Sequence, residues 1–345
     1  MMAMSATLAT TLFRCTSRTT VPRNAGTLVF DVNRDDIETV SASGSMATQT
    51  LAIQGDLDLR RSLAPLAHGY GDPTIRSEDG RVWRATRTPE GPAVVALIHE
   101  AAHLRVEAFG PGADRAIADT PRLLGLDEAP EPIPSGHPVV GRLVRRYPGV
   151  RIPRSGAILE SLVPAILEQK VTGLEASRAW RGLIRVHGEA APGPAEWRLR
   201  LGPTASTLAA LPYYAYHPFG IERRRAELIR RVAARAGWFE AIVDLPLPDA
   251  YARLMAVTGI GPWTAAEVAA RALGDADAVS IGDFHLPNLV TFALAGEPRG
   301  TDERMLELLE PFRGQRARVM RLLELSDIRP PRRGPRLSIR GIEDR

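Results

Sequence analysis

Two rhythms of apolar and polar residues divide the chain. Between Thr74 and Gly110 the runs TIRSEDGRVWRATRTPEG and PAVVALIHEAAHLRVEAFG alternate or cluster β-branched and apolar residues between Gly and Pro breaks, which predicts strands. Helical spacing flanks them over residues 57–66 and 113–124. Further along, the pattern is helical over 157–169, 174–187, 222–235, 249–257, 262–273 and 302–325, and no internal repeat is evident. The expected fold class is α+β: a mainly α-helical core preceded by a small α/β domain with an antiparallel sheet.

The organisation follows from the same pattern. Residues 1–50 are rich in Ser, Thr and Ala and lack sustained periodicity, so they are expected to form a disordered or misassigned leader, with Met46 as a second plausible start. The α/β domain is placed at 51–127. The Pro-rich run EAPEPIPSGHP marks a linker over 128–137. The helical domain is placed at 138–326, followed by a basic tail over 327–345 that is expected to be disordered.

Residues 255–286, MAVTGIGPWTAAEVAARALGDADAVSIGDFHL, carry the densest chemical signal. Gly259 and Gly261 allow positive φ and close backbone approach. Pro262 suits the first position of a helix, where its missing amide costs nothing. The spacing of Trp263, Ala266, Ala270 and Leu273 gives that helix an apolar inner face. Its exposed N-terminal amides and dipole suit one phosphate. A single carboxylate, Asp283, follows at a fixed interval.

Composition narrows the class. The 44% apolar and 24% charged residues are ordinary for a globular protein, and no run of about 18 apolar residues predicts a membrane span. A secretory signal is not evident at the N-terminus. With one cysteine, Cys15, the chain can build neither an internal disulfide nor a four-cysteine iron–sulfur cluster, and a zinc site would need His and carboxylates alone. No metal or cofactor is expected. Net charge +4 and pI ≈ 9.6 permit binding to a polyanion without proving it. Lys170 is the single lysine among 44 basic residues.

GIGPWTA followed by the spaced GDFHL resembles the helix-hairpin-helix-GPD superfamily of DNA base-excision glycosylases, and within it the 3-methyladenine DNA glycosylase II (AlkA-like) family. The resemblance covers about residues 50–326, weakly in the first domain and well in the second. It implies a hairpin, here Gly259, Ile260, Gly261 and Thr264, that grips the DNA backbone beside a lesion. It places Asp283 at the mouth of a base pocket, with Trp263 as a wall against which a flipped base stacks and Phe284 beside it. LVPAILEQKVT resembles the helix and turn that enter the minor groove, which puts Gln169 and Lys170 on DNA. Lys170 stands where an apolar residue normally fills the gap left by the flipped nucleotide. PFRGQRARVMRLLEL resembles the last helix of the family, with Gln315 at a pocket position that is usually aromatic. Glu267 replaces another aromatic on the face of Trp263. Relatives can hold a monovalent cation on hairpin carbonyls.

The implied function is excision of alkylated purines from double-stranded DNA containing damaged bases, by a monomer with no membrane association, in the cytoplasm at the nucleoid. A fixed carboxylate stabilises the positive charge that builds on the sugar as the base leaves. Members that also nick DNA use a lysine amine where this chain has Trp263, so monofunctional chemistry is expected. Blander readings stand beside these: Asp283 as the cap of a helix beginning near Phe284, Trp263 as a core residue, Lys170 as a surface charge, and Glu267 as an i,i+4 partner of Arg271. A glycosylase for uracil, mismatched thymine or oxidised bases, and a non-catalytic hairpin DNA-binding protein, are the alternative functions. Arginine clusters at Arg142, Arg145, Arg146, Arg151 and Arg154, and at Arg223, Arg224, Arg225, Arg230 and Arg231, are further candidates for phosphate contact.

Overall fold

The computed structural model describes residues 46–127, 131–134 and 136–331. Most of the leader, Cys15, part of the linker and the tail from residue 332 lie outside the described residues. Five antiparallel strands form one sheet in the order β1-β5-β4-β3-β2: β1 Met46–Ala52, β2 Ile75–Glu78, β3 Arg81–Thr88, β4 Gly91–Glu100 and β5 His103–Phe109. The turn between β2 and β3 is Asp79–Gly80, both at positive φ, the conformation that matches strand twist in a two-residue hairpin. β4 reads as a continuous apolar run because both its faces are covered. Val95 and Leu97 join the main core of this domain, while Val94 packs with Ala85, Leu199 and Leu201 on the other side.

β1 begins inside the segment read as leader. Its sequence, MATQTLA, carries no sustained apolar alternation, but it pairs along its length with β5, from Met46 opposite Phe109 to Ala52 opposite His103. A partner more than fifty residues away supplies the order. Beneath the sheet lie α1 Leu59–Leu63, α2 Ala113–Ala118 and α3 Thr120–Leu123, whose apolar residues complete one core cluster with it.

The remaining helices are α4 Pro138–Arg146, α5 Ile158–Leu167, α6 Gly173–His187, α7 Ala205–Ala210, α8 Arg223–Ala233, α9 Ala236–Glu240, α10 Leu247–Met255, α11 Pro262–Val268, α12 Leu286–Ala295, α13 Asp302–Leu309 and α14 Arg316–Leu325. They make two lobes. The first packs α5, α6 and α8 to α11 around Leu162, Ile166, Leu183, Ile229 and Val268. The second joins α4 to α12, α13 and α14 through Val140, Leu143, Val290, Met305 and Leu323. The chain thus leaves the second lobe after α4, builds the first, and returns along the segment that carries Asp283.

Several elements differ from the sequence reading. Residues 302–325 are not one helix: Pro311 and Gly314, the latter at φ 88°, break it into α13, a short 3-10 turn at Glu310–Phe312 and α14. The helix from Pro262 ends in a π turn, Ala269–Leu273, and is buried along Ala265, Ala266, Val268, Ala269 and Ala272, with Trp263 and Ala270 only half-buried. The linker is not a bare spacer, since Ile133 is buried in the second lobe and His137 accepts from the Val139 amide at the start of α4. Among the described residues no helix is long and apolar enough to cross a membrane.

Candidate active site

The hairpin between α10 and α11 is fixed from three sides. Ile260 is buried in the first lobe, and its amide donates to the Val257 carbonyl at 2.9 Å. Gln169, in the turn after α5, donates from Nε2 to the Gly259 carbonyl and to Thr264 Oγ1, both at 3.0 Å. Arg231, on α8, donates from Nη2 to the Thr258 carbonyl at 3.0 Å.

The two glycines have different reasons to be there. Gly259 lies at φ 105°, and a Cβ built on it would come within 2.9 Å of Leu228 Cδ2. Gly261 does not need positive φ: it lies at φ −99°, ψ −178°, extended backbone open to any residue. A Cβ on Gly261 would meet nothing within 4 Å, so what glycine supplies there is an uncovered backbone. Ala265 donates to the Gly261 carbonyl at 3.0 Å, which leaves the amides of Trp263 and Thr264 ahead of the first intrahelical bond. Pro262 has no amide to satisfy.

Trp263 begins the chemical part of the site. Its Nε1 donates to Asp283 Oδ2 at 3.1 Å, across twenty residues. Asp283 Oδ1 accepts from the amides of His285 at 2.7 Å and Leu286 at 2.8 Å. Asp283 therefore caps the start of α12 and meets Trp263 at once, and both of its oxygens are held. The loop carrying it has two more ties: Gly282 donates its amide to Asp302 Oδ2 at 2.9 Å, and Ser280 Oγ donates to Glu267 Oε1. Glu267 also accepts from Arg271 Nη1 at 2.5 Å, the i,i+4 pair the spacing suggests. Further back, Asp277 binds Arg316 and the Gly314 amide, which tethers the same segment to α14.

His68, Glu168, Arg271 and Glu267 form a row of interacting polar side chains. His68 Nδ1 lies 3.7 Å from Glu168 Oε1, an electrostatic neighbour too distant for a good hydrogen bond. Burial works against ionising Glu168, but His68 and Arg271 outweigh it and hold its carboxyl below the ordinary range. Burial likewise opposes the charge on Arg271, yet Glu267 and Glu168 raise its pKa.

The structure brings Gln169, Gly259, Thr264, Trp263, Glu267 and Asp283 into one connected set. Other candidates stand apart from that set. Phe284 is 77% exposed, edge-on to His285. Gln315 is buried and accepts from Arg318 Nη1 at 2.7 Å. Lys170 is exposed at the end of the turn after α5, at φ 56°. Three arginines named for phosphate contact donate to carbonyls instead: Arg225, 2% exposed, to Leu167, Arg151 to Gly125 and Arg231 to Thr258. Sequence reasoning missed Asp302, Ser280 and the hairpin contact of Arg231. The only signal for them is proximity in three dimensions.

No family model matches the chain. It is 31% identical over 256 residues to a protein of Mycobacterium tuberculosis described as a probable bifunctional transcriptional activator/DNA repair enzyme AlkA, covering 72% of this chain and 51% of that one. It is 29% identical over 178 residues to DNA-3-methyladenine glycosylase 2 of Escherichia coli, covering 50% and 61% of the two chains. The chain is a homologue of the AlkA-type proteins. It spans about half the length of the mycobacterial relative. The fold agrees: the 3-methyladenine DNA-glycosylase structure from Archaeoglobus fulgidus superposes with a TM-score of 0.67 at 20% identity, over 80% of this chain and 97% of that one. This AlkA homologue thus shares the fold of that structure.

Proposed function

We propose that this AlkA homologue is a monofunctional DNA N-glycosylase that removes alkylated purines of the 3-methyladenine and 7-methylguanine type from double-stranded DNA, working as a monomer in base-excision repair. The observation that carries the reading is the immobilised carboxylate of Asp283 at the junction of the two lobes, linked through Trp263 to the glycine hairpin. The hairpin amides of Gly261, Trp263 and Thr264 hold a phosphate beside the lesion, the Ile260 amide being already engaged. Gln169 keeps that loop in register with the turn bearing Lys170.

With the nucleotide turned out of the stack, its sugar meets Asp283. Breaking the N-glycosidic bond develops positive charge on the sugar, and a carboxylate about 4 Å away at an effective dielectric near 20 stabilises it by roughly 4 kcal/mol, on the order of a thousandfold in rate. Preorganisation matters as much as charge. Three donors hold Asp283, so little reorganisation is needed as the transition state forms. Water then adds to the anomeric carbon and releases one proton to solvent, which leaves the neutral abasic sugar. A tryptophan in place of a lysine at position 263 leaves no amine there to form a Schiff base, so the product is an intact strand with an abasic site. N3- or N7-alkylation makes the base cationic, and it departs neutral without a proton from the protein.

The test is single-turnover release across a panel of single-lesion duplexes, with Asp283→Asn as the control. Methylated purines are expected to leave faster than hypoxanthine or uracil, and the variant should bind duplex while releasing nothing. Near-wild-type release by Asp283→Asn, or a preference for neutral bases, would overturn the reading.

A further inference from the structure

One aromatic side chain in the N-terminal domain is almost wholly in solvent. Tyr70 is 96% exposed at the tip of the loop 68–72. Its neighbours Gly69 and Gly71 lie at φ 93° and 74°, which lifts the residue between them away from the protein. The loop is nevertheless built firmly. Asp72, 7% exposed, accepts from the His68 amide at 2.7 Å, the Thr74 amide at 2.8 Å and Trp180 Nε1 at 3.1 Å. Arg181 Nη1 donates to the Tyr70 carbonyl at 2.7 Å, and Gly69 lies so close to α6 that a Cβ on it would fall 2.3 Å from Ser177 Oγ. A rigid loop thus presents an aromatic ring that the protein itself does not use.

Its position gives the ring a purpose. His68 meets Glu168 at 3.7 Å; Tyr70 lies two residues beyond His68, and Lys170 lies two residues beyond Glu168. Two residues of chain span at most about 7 Å. Both side chains are exposed, and each stands in a turn made by positive φ: Lys170 at its own φ of 56°, Tyr70 between its glycines. The His68–Glu168 contact therefore links the two loops that carry these exposed tips. Lys170 offers a flexible stem and a charge but no flat surface with which to replace a missing base. Tyr70 offers that surface.

We propose that Tyr70 is the inserting side chain, which stacks on the bases beside the extruded nucleotide while Lys170 meets the backbone. This rests on the glycosylase reading for its DNA partner. Base–aromatic stacking tolerates any sequence because every base has a π face, which suits a protein that must search all of them. Side chains that fill an opened base step usually present apolar surface of this kind.

The experiment compares binding of the full chain to an intact duplex and to the same duplex carrying a tetrahydrofuran abasic site. Tyr70→Ala should lose about tenfold in affinity for the abasic duplex and little for the intact one, with Tyr70→Phe restoring the difference. Folding is not at stake, because the ring has no packing to lose and the Arg181 contact is to backbone. Unchanged preference in Tyr70→Ala, or equal weakening on both duplexes, would overturn the inference. A wild-type protein that releases no alkylated base but prefers the abasic duplex through Tyr70 would sink the glycosylase reading and leave this one standing.

Discussion

The indole N–H of Trp263 donates to the carboxylate of Asp283 at 3.1 Å, joining the first turn of the hairpin helix to the residue that accepts from the first amide of α12. This bond makes the hairpin loop and the proposed catalytic acid one mechanical unit, because the same helix start carries the exposed amides. It gives the polar edge of Trp263 a carboxylate partner, as Asp72 does for the buried Trp180.

Replacing Trp263 by Phe removes the bond and keeps the ring. Asp283 would then retain two backbone donors and lose one side-chain donor, at a cost of about 1–3 kcal/mol for a hydrogen bond to a charged group. Single-turnover release should fall by tenfold or more while duplex affinity changes little; parallel losses in both would assign Trp263 to binding alone.

The glycine pair separates folding from DNA contact. Gly259→Ala forces a Cβ into positive φ and against Leu228, and should cost about 1–3 kcal/mol in stability. Gly261→Ala adds a Cβ to open space at an ordinary φ, so its melting temperature should stay near wild type while duplex affinity drops. Thermal unfolding and a binding titration on the two variants decide it.

Gln169→Ala removes both hydrogen bonds to the hairpin, each worth about 1 kcal/mol. Amide exchange around Gly259 to Thr264 should quicken in this variant. Protection equal to wild type would mean that Arg231 and the burial of Ile260 suffice to hold the loop.

Product analysis tests the absence of lyase chemistry. Strands treated with the protein should break only after alkali. Lys170 is the sole lysine, so a borohydride-trapped adduct that vanishes in Lys170→Ala would contradict the monofunctional mechanism.

The row of interacting side chains around Glu168 predicts a pH dependence. The folded-state pKa of Glu168 is below its unfolded value of about 4.3, so its contribution to stability is present above that value and is lost as pH falls through the lower folded one. Glu168→Gln should therefore be less stable than wild type near pH 7, with the gap closing below about pH 4. A constant gap in denaturant midpoints across that range would show that shape, not charge, is what Glu168 supplies.

Much of this fold is legible in short stretches of sequence. Asp79–Gly80 specifies a hairpin turn by itself, Pro262 marks a helix start, and the apolar run of β4 announces a strand, because turn geometry, capping and periodicity act over a few residues. The family resemblance carried by GIGPWTA and GDFHL likewise implies Asp283 as a candidate site residue. Tertiary structure decided what these residues touch. β1 has no local signal and exists because β5 pairs with it; Gly261 proved to supply open space and not a left-handed turn; Arg225 lies buried on the Leu167 carbonyl although its charge looked available to phosphate. The bonds from Trp263 to Asp283, from Gln169 to Gly259 and from Gly282 to Asp302 span 20, 90 and 20 residues. Contacts at such separations form only when the whole chain is packed, since the loop entropy they cost is repaid by burial elsewhere and not by any preference of the residues themselves.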